Sequence, residues 1–527
     1  MSDVNLNEES GLKNSKEIIN DEIEPKILST NNIKSYLVVL GVLFGIVTIY
    51  YLLYSIIAGS TAGGLPIPPP PGSFTLSTFS TSISFSFNQP SYGGGINNNM
   101  WPLWGQFTAP TIFNIIMCVL VFLIFTLSVI YFYRKRKMNP PLILITIVGI
   151  ILIIGTNLIQ GWVIGIEMPI GGTTEILTDA MKIENMFSFI MNYEELQFML
   201  SVHAQTQPPG AVLIIYLLYL VFRMPGLIAI ALCSIATITS VYFINGIFKR
   251  IIDEKLSNYT IFLFLLLPAI QVYFLANIYA IVASLIFGIV YFYFHSNRKI
   301  RIIGSICCLF LLSFVTFLFV YIIIFLFLFE LIKARRDGLF TKSRFREHGI
   351  FKWLNNLMNR GQTLLIMATS LVLIYGGLLL IGFNYINAFL YASSSTSGFT
   401  LFSNPLNYFV TRIQNVLDVL IFFGPILIVL CYRGIKNLKE DSQREAKISN
   451  TYLLVISAIF ALLILFVSGA PNKGETARIC MFILPFLLIP VAYNLQKEKY
   501  SQIERVKLLM IVFGQTLLFQ LIATWVW

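Results

Sequence analysis

The stretch IFNIIMCVLVFLIFTLSVIYFYRKRK, Ile112 to Lys137, decides the fold. It is apolar for about 20 residues, the length that crosses ~30 Å of hydrocarbon as a helix. It ends on four consecutive cations, Arg134, Lys135, Arg136 and Lys137. Runs of this kind recur from Ser35 to the C-terminus, and the chain of 527 residues is 57% hydrophobic and only 12% charged. That balance lies far outside the range of soluble globular proteins. The runs are continuous Leu, Ile, Phe and Val rather than short alternating segments, which excludes an outer-membrane barrel, and unclosed sheet would leave backbone amides unpaired in lipid. The sequence predicts an all-α fold, a polytopic transmembrane helical bundle of about 13 spans.

The formal net charge of +11 comes from short basic clusters between apolar runs. This is the positive-inside pattern and argues against nucleic acid as a partner. The cluster at Arg134 is cytoplasmic, and the uncharged loop before it, roughly 59–110, is external. Counting the short stretch Ala211–Phe222 as a crossing would place Lys249, Arg250, Arg298, Lys299 and Arg301 outside. It is too short to cross and is closed by Arg223, Met224 and Pro225, so it is laid at the outer interface and both clusters return inside. The expected spans are approximately 35–58, 112–133, 142–166, 226–248, 259–275, 278–294, 303–318, 319–332, 363–383, 416–432, 451–468, 479–495 and 507–526. Three units follow: a polar cytoplasmic tail over 1–34, a two-span addition over 35–138, and a transmembrane domain over 139–527. The six cysteines lie in or beside apolar runs without ligand spacing. In the addition, Thr75 to Asn88 alternates in a way that suits a hairpin, and the loop, lacking acid or base, cannot do acid-base work.

The segment from Glu167 to Met224 is long, external and acidic, with Glu167, Glu175, Asp179, Glu184, Glu194 and Glu195 opposed by Lys182. Helical spacing of its apolar residues predicts interfacial helices. A carboxylate just outside the bilayer can serve as a general base, and Asp179 is the first candidate, with Glu184 behind it. The competing reading has Asp179 capping or solvating a loop helix. HAQTQPPG, His203 to Gly210, sets His203, Gln205 and Gln207 on a stiff backbone suited to a phosphate or sugar, or else is a plain loop-to-helix junction begun by Pro208 and Pro209. SGAPNKGETARI, Ser468 to Ile479, carries Lys473, Glu475 and Arg478 at the mouth of a span. An arginine there wants an anion such as a lipid phosphate, against which stand pairing with Glu475 and snorkelling to headgroups.

These stretches together resemble the C-type glycosyltransferase superfamily, which includes protein O-mannosyltransferases and aminoarabinose transferases. HAQTQPPG after the acidic loop with Asp179 resembles the H-x-x-T-H-P-P-G-like motif. LLPAIQVYFLAN, Leu266 to Asn277, resembles a proline-bearing helix that ends in an acidic second loop. GFNYINAFLYASSS with NYFVTRIQNVLDVLIFFGP, between Gly382 and Pro425, and GETARICMFILPFLL, Gly474 to Leu488, resemble patterns of the late half. The likeness covers roughly 142–527 and departs at two positions: Gln207 replaces the second histidine, and Asn277 replaces the acid of the second loop. It implies transfer of a sugar from a polyprenyl-phosphate donor to a glycan, lipid or protein acceptor on the external face, with inversion. Asp179 would deprotonate the acceptor, Lys473 and Arg478, with Glu475 beside them, would steady the lipid phosphate, and His203, Gln205, Gln207 and Asn277 would position the substrates. No cofactor is required by the pattern. A divalent metal is compatible with it, although Asn277 lacks a carboxylate's charge. The expected location is the cell's plasma membrane, multi-pass, with a cytoplasmic N-terminus. Two other functions compete: a catalytically degenerate scaffold of an envelope glycan complex, and a transporter or flippase.

Overall fold

The computed structural model describes residues 33–43, 45–46, 74–78, 81–85, 105–136, 139–172, 175–337, 363–380, 382–396, 401–402, 405–469 and 476–525. The protein is an all-α membrane protein: among the described residues helix runs nearly throughout and strands are confined to two short pairs. Among the described residues five helices are long and apolar enough to cross a bilayer: Ile112–Lys135, Pro225–Ile251, Thr363–Leu380, Ile448–Val467 and Gln502–Ile522. Two bent pairs bring the candidates to at most seven. The expected interfacial stretch after Pro208 is a helix of 14 residues, Pro209–Phe222, about 21 Å long at 1.5 Å per residue and so short of the hydrocarbon core.

Several expected spans are broken. The 142–166 run forms Leu142–Leu158, then turns by 119° into Val163–Gly171. The 416–432 run is divided at Gly424, whose φ of +108° only glycine tolerates readily, and Pro425 then starts a helix bent by 96° from the one before it. The 259–275 run stops at Leu265 and restarts at Pro268, which supplies no amide to the preceding turn.

Breaks strand backbone carbonyls, and in a bundle without water each needs a partner. Around Pro268 polar side chains supply them. Gln271, fully buried, donates through Nε2 to the Leu265 carbonyl, and Thr516 Oγ1 donates to the Leu266 carbonyl at 3.0 Å. The helix Leu142–Leu158 completes the knot: Thr156 Oγ1 donates to Gln271 Oε1 at 3.0 Å, and Asn157 Nδ2 donates to the Gln271 carbonyl at 2.7 Å. Gln271→Leu therefore leaves the buried Leu265 carbonyl short of a partner, while the Thr156 hydroxyl can still donate to the Ile153 carbonyl. The expected loss is about 1–3 kcal/mol per orphaned group, read as a lower melting temperature in detergent. A melting curve equal to wild type would remove the knot's structural role.

Helix Pro225–Ile251 packs on Ile278–Tyr293 and on Leu142–Leu158, while Phe319–Arg336 packs on Ala446–Val467 and Pro425–Asp441 on Leu484–Lys497. In the N-terminal addition, Phe74–Thr78 pairs antiparallel with Thr81–Phe85, in agreement with the alternation read there. The second strand pair was not expected: Gly105–Phe107 lies antiparallel to Ala523–Trp525, so the loop preceding Ile112 is tied to the end of the last helix.

Candidate functional site

Three segments distant in the chain converge on one small cleft of about 30 Å³, whose polar lining comprises Glu175, His203, Gln207, Asn277, Tyr279 and Arg478. Glu175 follows the turn at Gly172, and its Oε1 lies 3.4 Å from His203 Nε2, with both side chains partly open to solvent. His203 sits in the short helix Val202–Gln205. Tyr193, buried beneath it, anchors the following turn, its hydroxyl donating to the carbonyls of Ala204 and Gln207. Burial first, and the Asp179 carboxylate second, hold the Tyr193 phenol above its ordinary pKa, so it remains a donor.

Gln207 is only 6% exposed. Its Nε2 donates to Tyr279 Oη at 2.7 Å, while its Oε1 has no hydrogen-bond partner among the described residues. A buried acceptor without a donor costs free energy, and it sits where a ligand hydroxyl could donate to it. Across the cleft, Asn277 Oδ1 caps the helix Ile278–Tyr293 by accepting from the Tyr279 amide at 2.9 Å. The residue before it, Ala276, has φ of +60°, an unusual conformation for a non-glycine residue and one that recurs at functional turns.

Arg478 closes the cleft and is buried, 4% exposed. Its short helix Thr476–Ile479 is held by Pro405–Phe423: Asn415 Oδ1 accepts from Thr476 Oγ1 at 2.7 Å, and Asp418 Oδ2 accepts from the Ala477 amide at 2.7 Å. The segment around Gly382 clamps the loop from another side. Glu194 accepts from the Asn384 amide at 2.7 Å and from Asn387 Nδ2 at 2.9 Å, and Gln197 Nε2 donates to the carbonyls of Gln205 and Ala388.

Of the residues singled out in the sequence, His203, Gln207, Asn277 and Arg478 meet here, and others lie elsewhere. Asp179 does not line the cleft. It is 3% exposed, with Oδ2 accepting from the Ser201 amide at 2.7 Å and Oδ1 lying 3.4 Å from Lys182 Nζ, so it ties its helical turn to the start of the His203 helix. Glu184 is exposed and outside the cleft. Gln205 spends its Nε2 on the carbonyls of Phe198 and Leu200, inside its own loop. Lys473 and Glu475 lie outside the described residues. Glu175 and Tyr279 were not singled out. Glu175 is the first carboxylate after the Gly171-Gly172 turn, a position in the sequence that could have marked it.

No family model and no curated protein matches the chain. The site is therefore read from its own chemistry. It has a carboxylate beside an imidazole, an unsatisfied amide oxygen and a buried guanidinium. Among the described residues no group of three or more His, Cys, Asp or Glu side chains stands close enough to hold a metal. Among the described lining residues the carboxylate is that of Glu175, with the imidazole of His203 and the amide oxygens of Gln207 and Asn277 beside it.

Proposed function

We propose that the chain is a membrane glycosyltransferase that moves a sugar from a polyprenyl-phosphate-linked donor to an acceptor hydroxyl on the extracytoplasmic face. The observation that carries this reading is the meeting of Glu175, His203, Gln207 and Arg478 in one cleft. Glu175, rather than Asp179, takes the acceptor proton, and His203 beside it orients the carboxylate. The acceptor oxygen bonds to the anomeric carbon as the bond from that carbon to the phosphate oxygen breaks. The leaving group is polyprenyl phosphate, whose charge Arg478 meets. The Oε1 of Gln207 accepts from a sugar hydroxyl.

The proposal includes the topology: about thirteen crossings of the plasma membrane, an N-terminus in the cytoplasm and the cleft outside. The test is incubation of the purified full chain with polyprenyl-phosphate-linked hexoses or pentoses and candidate acceptors. Release of polyprenyl phosphate that depends on Glu175 is the expected outcome. Absence of release with every donor, by protein shown to be folded, would overturn the reading.

The broken helices at Leu158 and Gly424 favour a second reading, a lipid-glycan transporter, since broken helices recur at transporter sites. The two separate in liposomes: a transporter moves the intact donor between leaflets, and a transferase cleaves it.

A further inference from the structure

A second cleft, at the opposite end of helix Ile278–Tyr293 from the first, opens between the ends of four helices. It holds about 220 Å³, and its lining includes Arg250, Phe294, Phe329, Asn450, Thr451 and Leu454. Arg250 ends Pro225–Ile251, Phe294 follows Ile278–Tyr293, Phe329 lies near the end of Phe319–Arg336, and Asn450 and Thr451 open Ala446–Val467. Phe294 and Phe329 meet edge to face at 5.1 Å and form an apolar wall.

Arg250 is a rim cation that no acid among the described residues pairs, and the acids near it are engaged with other groups. Lys249 pairs with Glu254 at 2.6 Å, Arg336 pairs with Asp337 at 2.8 Å, and Glu330 accepts from Tyr293 Oη at 2.8 Å. Arg336 also reaches the cleft's edge, donating to Asn450 Oδ1 at 3.2 Å. Arg250 is exposed and makes no ion pair among the described residues. One of its N–H groups donates to the Tyr291 carbonyl at 3.1 Å, and the guanidinium lies 4.9 Å from the Tyr291 ring. A guanidinium has five donors, so several stay available to a second acceptor.

We infer that this cleft holds one anionic phospholipid of the leaflet that faces the basic helix ends, its phosphate on Arg250 and an acyl chain along Phe294, Phe329 and Leu454. Apolar depth with a cationic lip fits an amphipathic anion, whereas a free inorganic anion would have no use for the aromatic wall. The lip also lies on the side that the positive-inside pattern makes cytoplasmic, where acidic lipids attract such clusters.

The test is titration of the full chain, in nanodiscs of phosphatidylcholine, with phosphatidylglycerol, read by native mass spectrometry and thermal unfolding. Retention of a phosphatidylglycerol molecule is expected, with its affinity falling roughly fivefold in Arg250→Gln. Arg134→Gln, an equal loss of charge on a helix that does not border the cleft, should leave it unchanged, and Arg250→Lys should retain part of it. Three results would overturn the inference: equal retention of phosphatidylcholine, no difference between Arg250→Gln and Arg134→Gln, or the same stabilisation by inorganic phosphate alone. The readouts are binding and melting, so the outcome is independent of any transfer activity.

Discussion

Glu175→Gln is expected to lower sugar transfer by about 10²–10⁴-fold, the usual contribution of a positioned general base, while leaving the melting temperature near that of the wild type. The reason is geometric: among the carboxylates of the first long loop, Glu175 lines the cleft and touches His203. Glutamine keeps the shape and can still meet the imidazole, but it cannot take a proton. Asp179→Asn should behave in the opposite way. Asparagine can still accept from the Ser201 amide through its remaining oxygen, so the expected cost is about 1 kcal/mol of stability and a loss of turnover of only a few fold. Measuring kcat and thermal unfolding for both variants decides between them. Loss of turnover in Asp179→Asn with an active Glu175→Gln would return the base to Asp179 and leave Glu175 a partner of His203.

Gly434→Leu is expected to have the largest effect on stability. A Cβ at this position would stand 1.9 Å from the Pro490 carbonyl oxygen and 2.4 Å from its carbon, and backbone atoms inside a helix cannot step aside. Helix Pro425–Asp441 approaches Leu484–Lys497 this closely because residue 434 has no side chain, the small-residue contact that brings membrane helices together. Nearby, Asn437 Nδ2 donates to Asn494 Oδ1 at 2.8 Å, a bond that depends on the same spacing. Overpacking here should cost on the order of 3 kcal/mol and appear as a lower melting temperature and poor recovery from the membrane. Gly514→Leu, at a position with open space around it, is the matched control. Equal melting of the two variants would show that the helices separate without cost.

Much of the architecture was legible because lipid demands long apolar helices, and long apolar runs are a strong signal. The breaks were harder to read. Pro268 and the Gly424-Pro425 pair stood in the sequence, but hydropathy averages over them, and whether a proline bends a helix or starts a new one depends on partners such as Gln271 and Thr516, which only packing supplies. The cleft was legible to the same extent. His203, Gln207, Asn277 and Arg478 drew notice through residue type and position, and they converge. The choice between Asp179 and Glu175 was not available from type or spacing, since both are carboxylates in one acidic loop. What separates them is the Ser201 amide, a residue of distant register that claims Asp179 for the scaffold.

The pairing of Gly105–Phe107 with Ala523–Trp525 fixes a parity. Strands that exchange hydrogen bonds stand on one side of a bilayer, so the chain between them must traverse it an even number of times. Among the described residues the five long helices all fall inside that interval, and adding both bent pairs gives seven candidates, odd in either case. If all five cross, an even count asks for one bent pair without the other, or for further segments such as Ile278–Tyr293 to cross as well. The same seal closes late in biosynthesis. Its two edges are joined by a Thr108–Thr524 contact 416 positions apart, so at ~5–20 residues per second the first edge waits roughly 20–80 s for its mate to emerge.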